Sequence, residues 1–167
     1  MIEPLRGPLL LASDFEVGGF SCGHQALDNY LIRHALQAQR ANTARTFVAL
    51  RGQHVVGYYS LAAASIEPEQ AAPRVARGAG RHPIPLTLLA RLAVDRREQG
   101  RGLGKALMKD AFKRYLAAQE QVASRALLVH AIDEPARNFY LRFSFEPASF
   151  DPLHLYILTK DILRALM

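Results

Sequence analysis

The stretch RLAVDRREQGRGLGKALM, Arg91 to Met108, constrains the fold more than any other segment of this chain. An apolar run reads as a buried strand ending at Asp95. A charged segment follows, Gly100, Gly102 and Gly104 stand on alternate positions, and an amphipathic helix pattern begins. Glycines at a strand-to-helix turn let the backbone approach a ligand closely, and the free N–H groups and dipole of a helix start favour an anion. The segment therefore predicts a strand, a phosphate-holding turn and a helix in series, a building block of layered α/β architecture.

Charge gathers in the same place. The chain has 167 residues and a net charge of +6. Residues 91–114 hold eight Lys or Arg against Asp95, Glu98 and Asp110, so eight less three gives +5 of that total. At 100° per residue Leu107, Ala111 and Tyr115 share one helix face, while Lys105, Lys109 and Lys113 form a stripe away from it. Arg96, Arg97 and Arg101 add charge at the turn. Such a patch suits a phosphate-rich partner, cofactor or nucleic acid, with a plain solvated helix face as the alternative.

The rest of the chain supplies the layers. GHQALDNYLIRHALQAQRA places Leu27, Tyr30, Leu31, His34 and Ala35 at helical spacing, which makes His34 a packed residue of that helix and not a ligand. ARTFVALRGQHVVGYYSLAAASI predicts a hairpin turning at Arg51 to His54, with Gly52 in the turn. Residues 66–86, rich in Pro and Gly among Arg74, Arg77 and Arg81, read as a long irregular loop. LTLLARLAV and RALLVHAI read as buried strands, ARNFYLRF as a short helix opened by Pro135, and HLYILTKDI as a last strand. The order implies an α/β (α+β) fold, a mixed central sheet with helices on both faces.

The length fits one domain, residues 1–167, that buries roughly 70% of the surface of the unfolded chain. The apolar stretch near the amino terminus is too short to span a membrane and lacks a cleavage site, so a cytoplasmic protein is expected. Cys22, the sole cysteine, cannot form an internal disulfide and reads as a small buried hydrophobe. With no second thiol, the six histidines are not expected to hold a metal.

Two familiar phosphate loops fail against the turn. A Walker loop needs a hydroxyl after Gly-Lys, and Ala106 follows Lys105; a dinucleotide fingerprint needs GxGxxG, and GRGLGK misplaces the third glycine. The form Arg/Gln-x-x-Gly-x-Gly/Ala does fit, as REQGRG from Arg97 to Gly102 directly after RLAVD. With ARNFYLRFSFEP further on, the chain resembles the GNAT acetyltransferase superfamily. The resemblance implies a GNAT fold whose splayed strand pair holds acetyl-CoA as cosubstrate. Pyrophosphate would lie at Arg97, Gln99, Gly100, Arg101, Gly102, Leu103, Gly104 and Lys105. The main chain of Leu92, Ala93 and Val94 would hold the pantetheine and the acetyl carbonyl, with Asn138 beside the cofactor arm. Tyr140 would protonate the departing thiolate; from spacing alone it reads as a core tyrosine. Ser144 stands where that segment usually has glycine.

The likeness extends to FSCG, LDNYL and RTFV, which resemble the start of the GNAT toxins of bacterial toxin–antitoxin pairs. This implies acetylation of the α-amine of aminoacyl-tRNA, a block of translation, a ribbon-helix-helix antitoxin and a homodimer. Arg74, Arg77, Arg81, Arg91, Arg96, Lys109 and Lys113 are the candidate tRNA contacts. No Asp or Glu lies on the LTLLARLAV strand, so no general base is assigned. An α-amine titrating at about 7.7–8.0 needs one less than a lysine near 10.4. The alternatives are a GNAT enzyme for a small amine or a protein amino terminus, and a noncatalytic binding module.

Overall fold

The computed structural model describes residues 2–167. In chain order the elements are β1 (Leu5–Leu10), α1 (Gln25–Asn29), a π-helical turn (Tyr30–His34), α2 (Ala35–Arg40), β2 (Arg45–Arg51), β3 (His54–Ile66), a 3-10 turn (Pro68–Gln70), α3 (Pro73–Ala76), β4 (Ile84–Val94), α4 (Leu103–Gln119), β5 (Ala126–His130), α5 (Glu134–Leu141), β6 (Glu146–Pro147), β7 (His154–Leu158) and α6 (Thr159–Ala165). The strands form a mixed seven-stranded sheet in the order β1-β2-β3-β4-β5-β7-β6, mostly antiparallel, which is the α+β class read from the sequence. Two compact units are present: the chain up to Ala62 with Ala90–Ala111, and Ala63–Leu89 with Phe112–Met167. Among the described residues no helix is long and apolar enough to cross a membrane.

In the first unit the hairpin of β2 and β3 turns where expected, with Gly52 in the left-handed region at φ 59°. Thr46 and Ser60 face each other across it, fully buried, and satisfy one another through a 2.7 Å hydroxyl contact. The core gathers Phe20, Leu31, Ala35, Val48, Leu50 and Tyr58, and the Tyr58 hydroxyl donates to the carbonyl of Leu27 at 2.6 Å. Gly57 is small for a reason: a Cβ there would come within 3.0 Å of Leu103 and 3.2 Å of Leu107, which lets the first turns of α4 lie against β3. Cys22 is buried, as read.

The second unit is built on β5, which pairs antiparallel with β7 from Ala126 opposite Leu158 to His130 opposite His154. On its other side β5 pairs in parallel with β4 at Thr87–Leu89. Val75, Ile84, Leu86, Ala126, Tyr156 and Leu158 form its core.

Four readings need correction. The helix after Ser21 contains a π turn, whose extra residue rotates the register, so His34 is exposed while Leu31 and Ala35 stay buried. The loop 66–86 holds the 3-10 turn and α3, and β4 begins at Ile84. The last strand stops at Leu158, because Thr159–Ala165 is a helix with Asp161 in its first turn and Arg164 in its last, the favourable dipole arrangement. Strand β1 escaped the reading: its residues are largely exposed and carry no alternation.

Replacing Gly57 by Val should destabilise the protein by about 1–3 kcal/mol through overpacking against Leu103 and Leu107. The check is the urea midpoint at unchanged m-value; a midpoint equal to that of the wild type would mean α4 gives way at no cost.

Candidate functional site

The turn between β4 and α4 is organised by acids facing inward. Asp95, 2% exposed, accepts from the backbone N–H of Ser21 at 3.1 Å, from that of Arg97 at 2.9 Å, and from the Arg97 guanidinium at 2.9 and 3.2 Å. Burial pushes the carboxyl up, but the Arg97 contacts and the two N–H groups outweigh it and hold Asp95 below the usual carboxylate range. Glu98, also buried, pairs with Arg51 at 2.7 and 3.1 Å, and that guanidinium lowers its pKa despite desolvation. Both acids of the turn are thus neutralised inside the unit. Of the side chains exposed there, Arg96, Arg97, Arg101 and Lys105 are basic and Gln99 is uncharged.

The backbone of the turn is open. Gly100 and Gly102 adopt φ 79° and 87°, and nothing lies within 4 Å of where their Cβ atoms would be. The glycines therefore serve left-handed conformation and leave bare backbone at the surface. Gly104 does not share this role: it lies in the first turn of α4, where Leu103, Gly104 and Lys105 have N–H groups without intrahelical acceptors. Leu103 is buried, so only its main chain is available to a ligand. Gln99, exposed as a residue, donates its amide to the carbonyls of Cys22 at 2.9 Å and Val94 at 2.8 Å. Its side chain braces the turn, Val94 has its carbonyl engaged, Ala93 is buried and Leu92 half-buried. The Cys22 thiol is pushed up to about 11 by burial and by Asp28, which leaves it protonated and a poor nucleophile.

In the second unit Asp133 caps α5, its Oδ1 accepting from the N–H of Ala136 at 2.9 Å. The cap orients a helix that exposes Asn138 and buries Tyr140 to 5%, with Phe139 and Phe145 edge-on at 5.3 and 5.6 Å. Burial pushes the Tyr140 phenol above the ordinary tyrosine range, so the group holds its proton. Ser144 sits at φ 73°, a conformation glycine adopts without strain, which accounts for the glycine usual at this place.

Of the cations proposed to meet nucleic acid, Arg77, Arg81, Arg96, Lys109 and Lys113 are exposed. Two are already engaged. Arg74 is paired with Glu146 and with Asp161 at 3.0 Å, and Arg91 lies over the ring of Tyr30 at 3.8 Å. Nor did the sequence reading find two hollows of the second unit. One is a basic cleft of about 470 Å³ lined by Arg74, Arg77, Arg125 and Lys160; the other is an apolar cavity of about 300 Å³ reached by His130 and His154. Both depend on strand register, which sequence spacing does not carry. Among the described residues, no group of three His, Cys, Asp or Glu is placed to hold a metal.

Comparison with known proteins bears on this arrangement. The family described as "Acetyltransferase (GNAT) domain" matches residues 42–147. A relative from Mycobacterium tuberculosis named "tRNA-acetylating toxin" is 45% identical over 154 residues, 92% of each chain. The solved structure of AtaT complexed with acetyl-methionyl-tRNAfMet superposes with a TM-score of 0.86 at 27% identity, over 98% of this chain and 99% of that one. A mutant AtaT toxin bound to the C-terminus of the antitoxin AtaR and acetyl-CoA gives 0.81 at 28%, over 98% of both chains.

The geometry of Asp95 yields a pH prediction. A carboxyl whose folded pKa is depressed contributes stability above its unfolded value, near 3.9, and loses that contribution as pH falls through the lower folded value. Asp95→Asn should lower stability by about 2 kcal/mol at pH 7 and flatten the fall of Tm between about pH 5 and pH 2. A Tm profile parallel to that of the wild type over that range would place the acid sensitivity elsewhere.

Proposed function

Because the chain belongs to the GNAT acetyltransferase family, we propose that it transfers the acetyl group of acetyl-CoA to the α-amine of aminoacyl-tRNA and so blocks translation. The observation that carries this reading is the 45% identity, over nearly the whole chain, to a protein named for that activity. Residues 1–167 act as one acetyltransferase domain.

The pyrophosphate of acetyl-CoA is held by the bare backbone of Gly100 and Gly102 and by the first turn of α4, with Arg101 and Lys105 supplying charge. Arg97 and Gln99 contribute through the turn they brace, and Leu92, Ala93 and Val94 through their main chain along the cofactor arm, with Asn138 beside it. The uncharged α-amine attacks the thioester carbonyl, the C–S bond breaks, the thiolate takes the phenolic proton of Tyr140, and the proton shed by the new amide nitrogen returns, through water, to the phenolate. The attacking amine needs no strong base. An α-ammonium esterified at its carboxyl gives up its proton to water near neutrality, and Asp95, buried and ion-paired, is unsuited to take it.

Arg77, Arg81, Arg96, Lys109 and Lys113 meet the tRNA backbone, whereas Arg74 and Arg91 serve structure. The protein works in the cytoplasm as a homodimer, and a ribbon-helix-helix antitoxin neutralises it. The support for an antitoxin is the AtaT structure that contains the AtaR C-terminus.

Two variants test the chemistry. Tyr140→Phe keeps the ring and its packing and should lower acetylation of charged tRNA by about 10²- to 10⁴-fold at saturating acetyl-CoA; turnover within a few-fold of wild type would return Tyr140 to the core. Gly102→Glu places a carboxylate where the pyrophosphate lies and should abolish acetyl-CoA binding in calorimetry, with unchanged affinity removing the anion site.

A further inference from the structure

The two hollows of the second unit share a wall. Ala71, Ala72 and Val75 bound the apolar cavity, while Arg74 and Arg77, interleaved with them in sequence, line the basic cleft. Arg125 fixes this segment by donating to the carbonyls of Val75 at 3.0 Å and Arg77 at 2.6 Å. Because Arg125, though exposed, is held by carbonyls and Arg74 by Glu146 and Asp161, the cations of the cleft left to meet a ligand are Arg77 and Lys160, both exposed.

The cavity walls carry no Asp, Glu, Lys or Arg. Leu88 and Leu128, partners across β4 and β5, form part of them, and Ser65 and Tyr156 add polar groups. Its rim is a stack of rings: His130 lies on His154 at 3.8 Å and 8°, and Phe150, 60% exposed, stands edge-on to His154 at 5.4 Å. Burial and the neighbouring His154 lower the pKa of His130, which keeps that ring uncharged at neutral pH. The volume matches the small end of ligand sites. An apolar slot with exposed rings, next to a groove with free cations, is how proteins take up single-stranded nucleic acid: bases stack on rings and phosphates follow the charge.

Chemistry names the occupant. The amino acid whose amine is acetylated is esterified through its carboxyl to the ribose of the terminal adenosine of tRNA, so the enzyme meets that one base with every substrate, whatever the amino acid. Building on the reading that charged tRNA is the substrate, we propose that this unit receives the unpaired 3′ end. The terminal adenine enters the apolar cavity against Phe150 and His154, and the adjoining phosphates lie along Arg77 and Lys160.

The first test needs no variant: binding of uncharged tRNA with its full CCA end is compared with binding of the same tRNA lacking the terminal adenosine. Removal should weaken binding about 10- to 100-fold, and equal binding overturns the proposal. Phe150→Ala, at an exposed position that does not threaten folding, should weaken binding of the complete tRNA and leave that of the shortened one unchanged. Ala72→Phe, which fills the cavity, should raise KM for charged tRNA with little change in the affinity for acetyl-CoA. If Ala72→Phe instead alters the preference among amino acids, the cavity holds the aminoacyl side chain and the proposal falls. If the wild-type protein acetylates no charged tRNA while binding acetyl-CoA, the substrate reading beneath it has failed.

Discussion

The buried carboxylate of Asp95 is the contact on which the first unit is organised. It ends β4, gathers the N–H groups of Ser21 and Arg97, and holds the Arg97 guanidinium. The N–H of Arg96 then donates to the carbonyl of Ser21 at 2.8 Å, and Gln99 ties Val94 to Cys22. A segment otherwise made of glycine and repelling arginines is thereby given one shape. The same carboxylate that builds the turn is buried and paired, so the surface beyond it carries bare backbone and cations. Structure and charge are separated by which side of the turn each residue faces.

Much of this was legible before any coordinates because it depends on short-range patterns. The hairpin announced itself through alternating apolar residues about Gly52, and the strand–turn–helix through its glycines. The stripe of Lys105, Lys109 and Lys113 followed from helical periodicity, and the three are exposed as that periodicity requires. Tyr140 lies in a buried aromatic setting that suits a core residue as well as a proton donor; only the resemblance to acetyltransferases separates the two.

What stayed hidden depends on partners distant in sequence. Nothing in YLIRH distinguishes a π turn from an α turn, yet the one extra residue sends His34 outward. Arg74 and Arg77 look alike in a Pro/Gly-rich stretch; Glu146 and Asp161, more than seventy residues on, engage the first and leave the second exposed. The stack of His130 on His154 requires the register between β5 and β7. An exposed edge strand such as β1 has no buried face to imprint on its residues.

Each unit is assembled from two separate lengths of chain, the second beginning at Ala90 in one case and at Phe112 in the other. Synthesis from the amino terminus therefore delivers the start of the second unit before the first has all its residues. Strand β7, which completes the pairing of β5, follows every residue of the first unit in the chain. A nascent chain that has not yet reached His154 lacks this part of the sheet. On the proposed activity, a protein that attacks the supply of charged tRNA lacks a complete sheet until that strand has been made, so its own synthesis up to that point draws on the supply before the sheet can form.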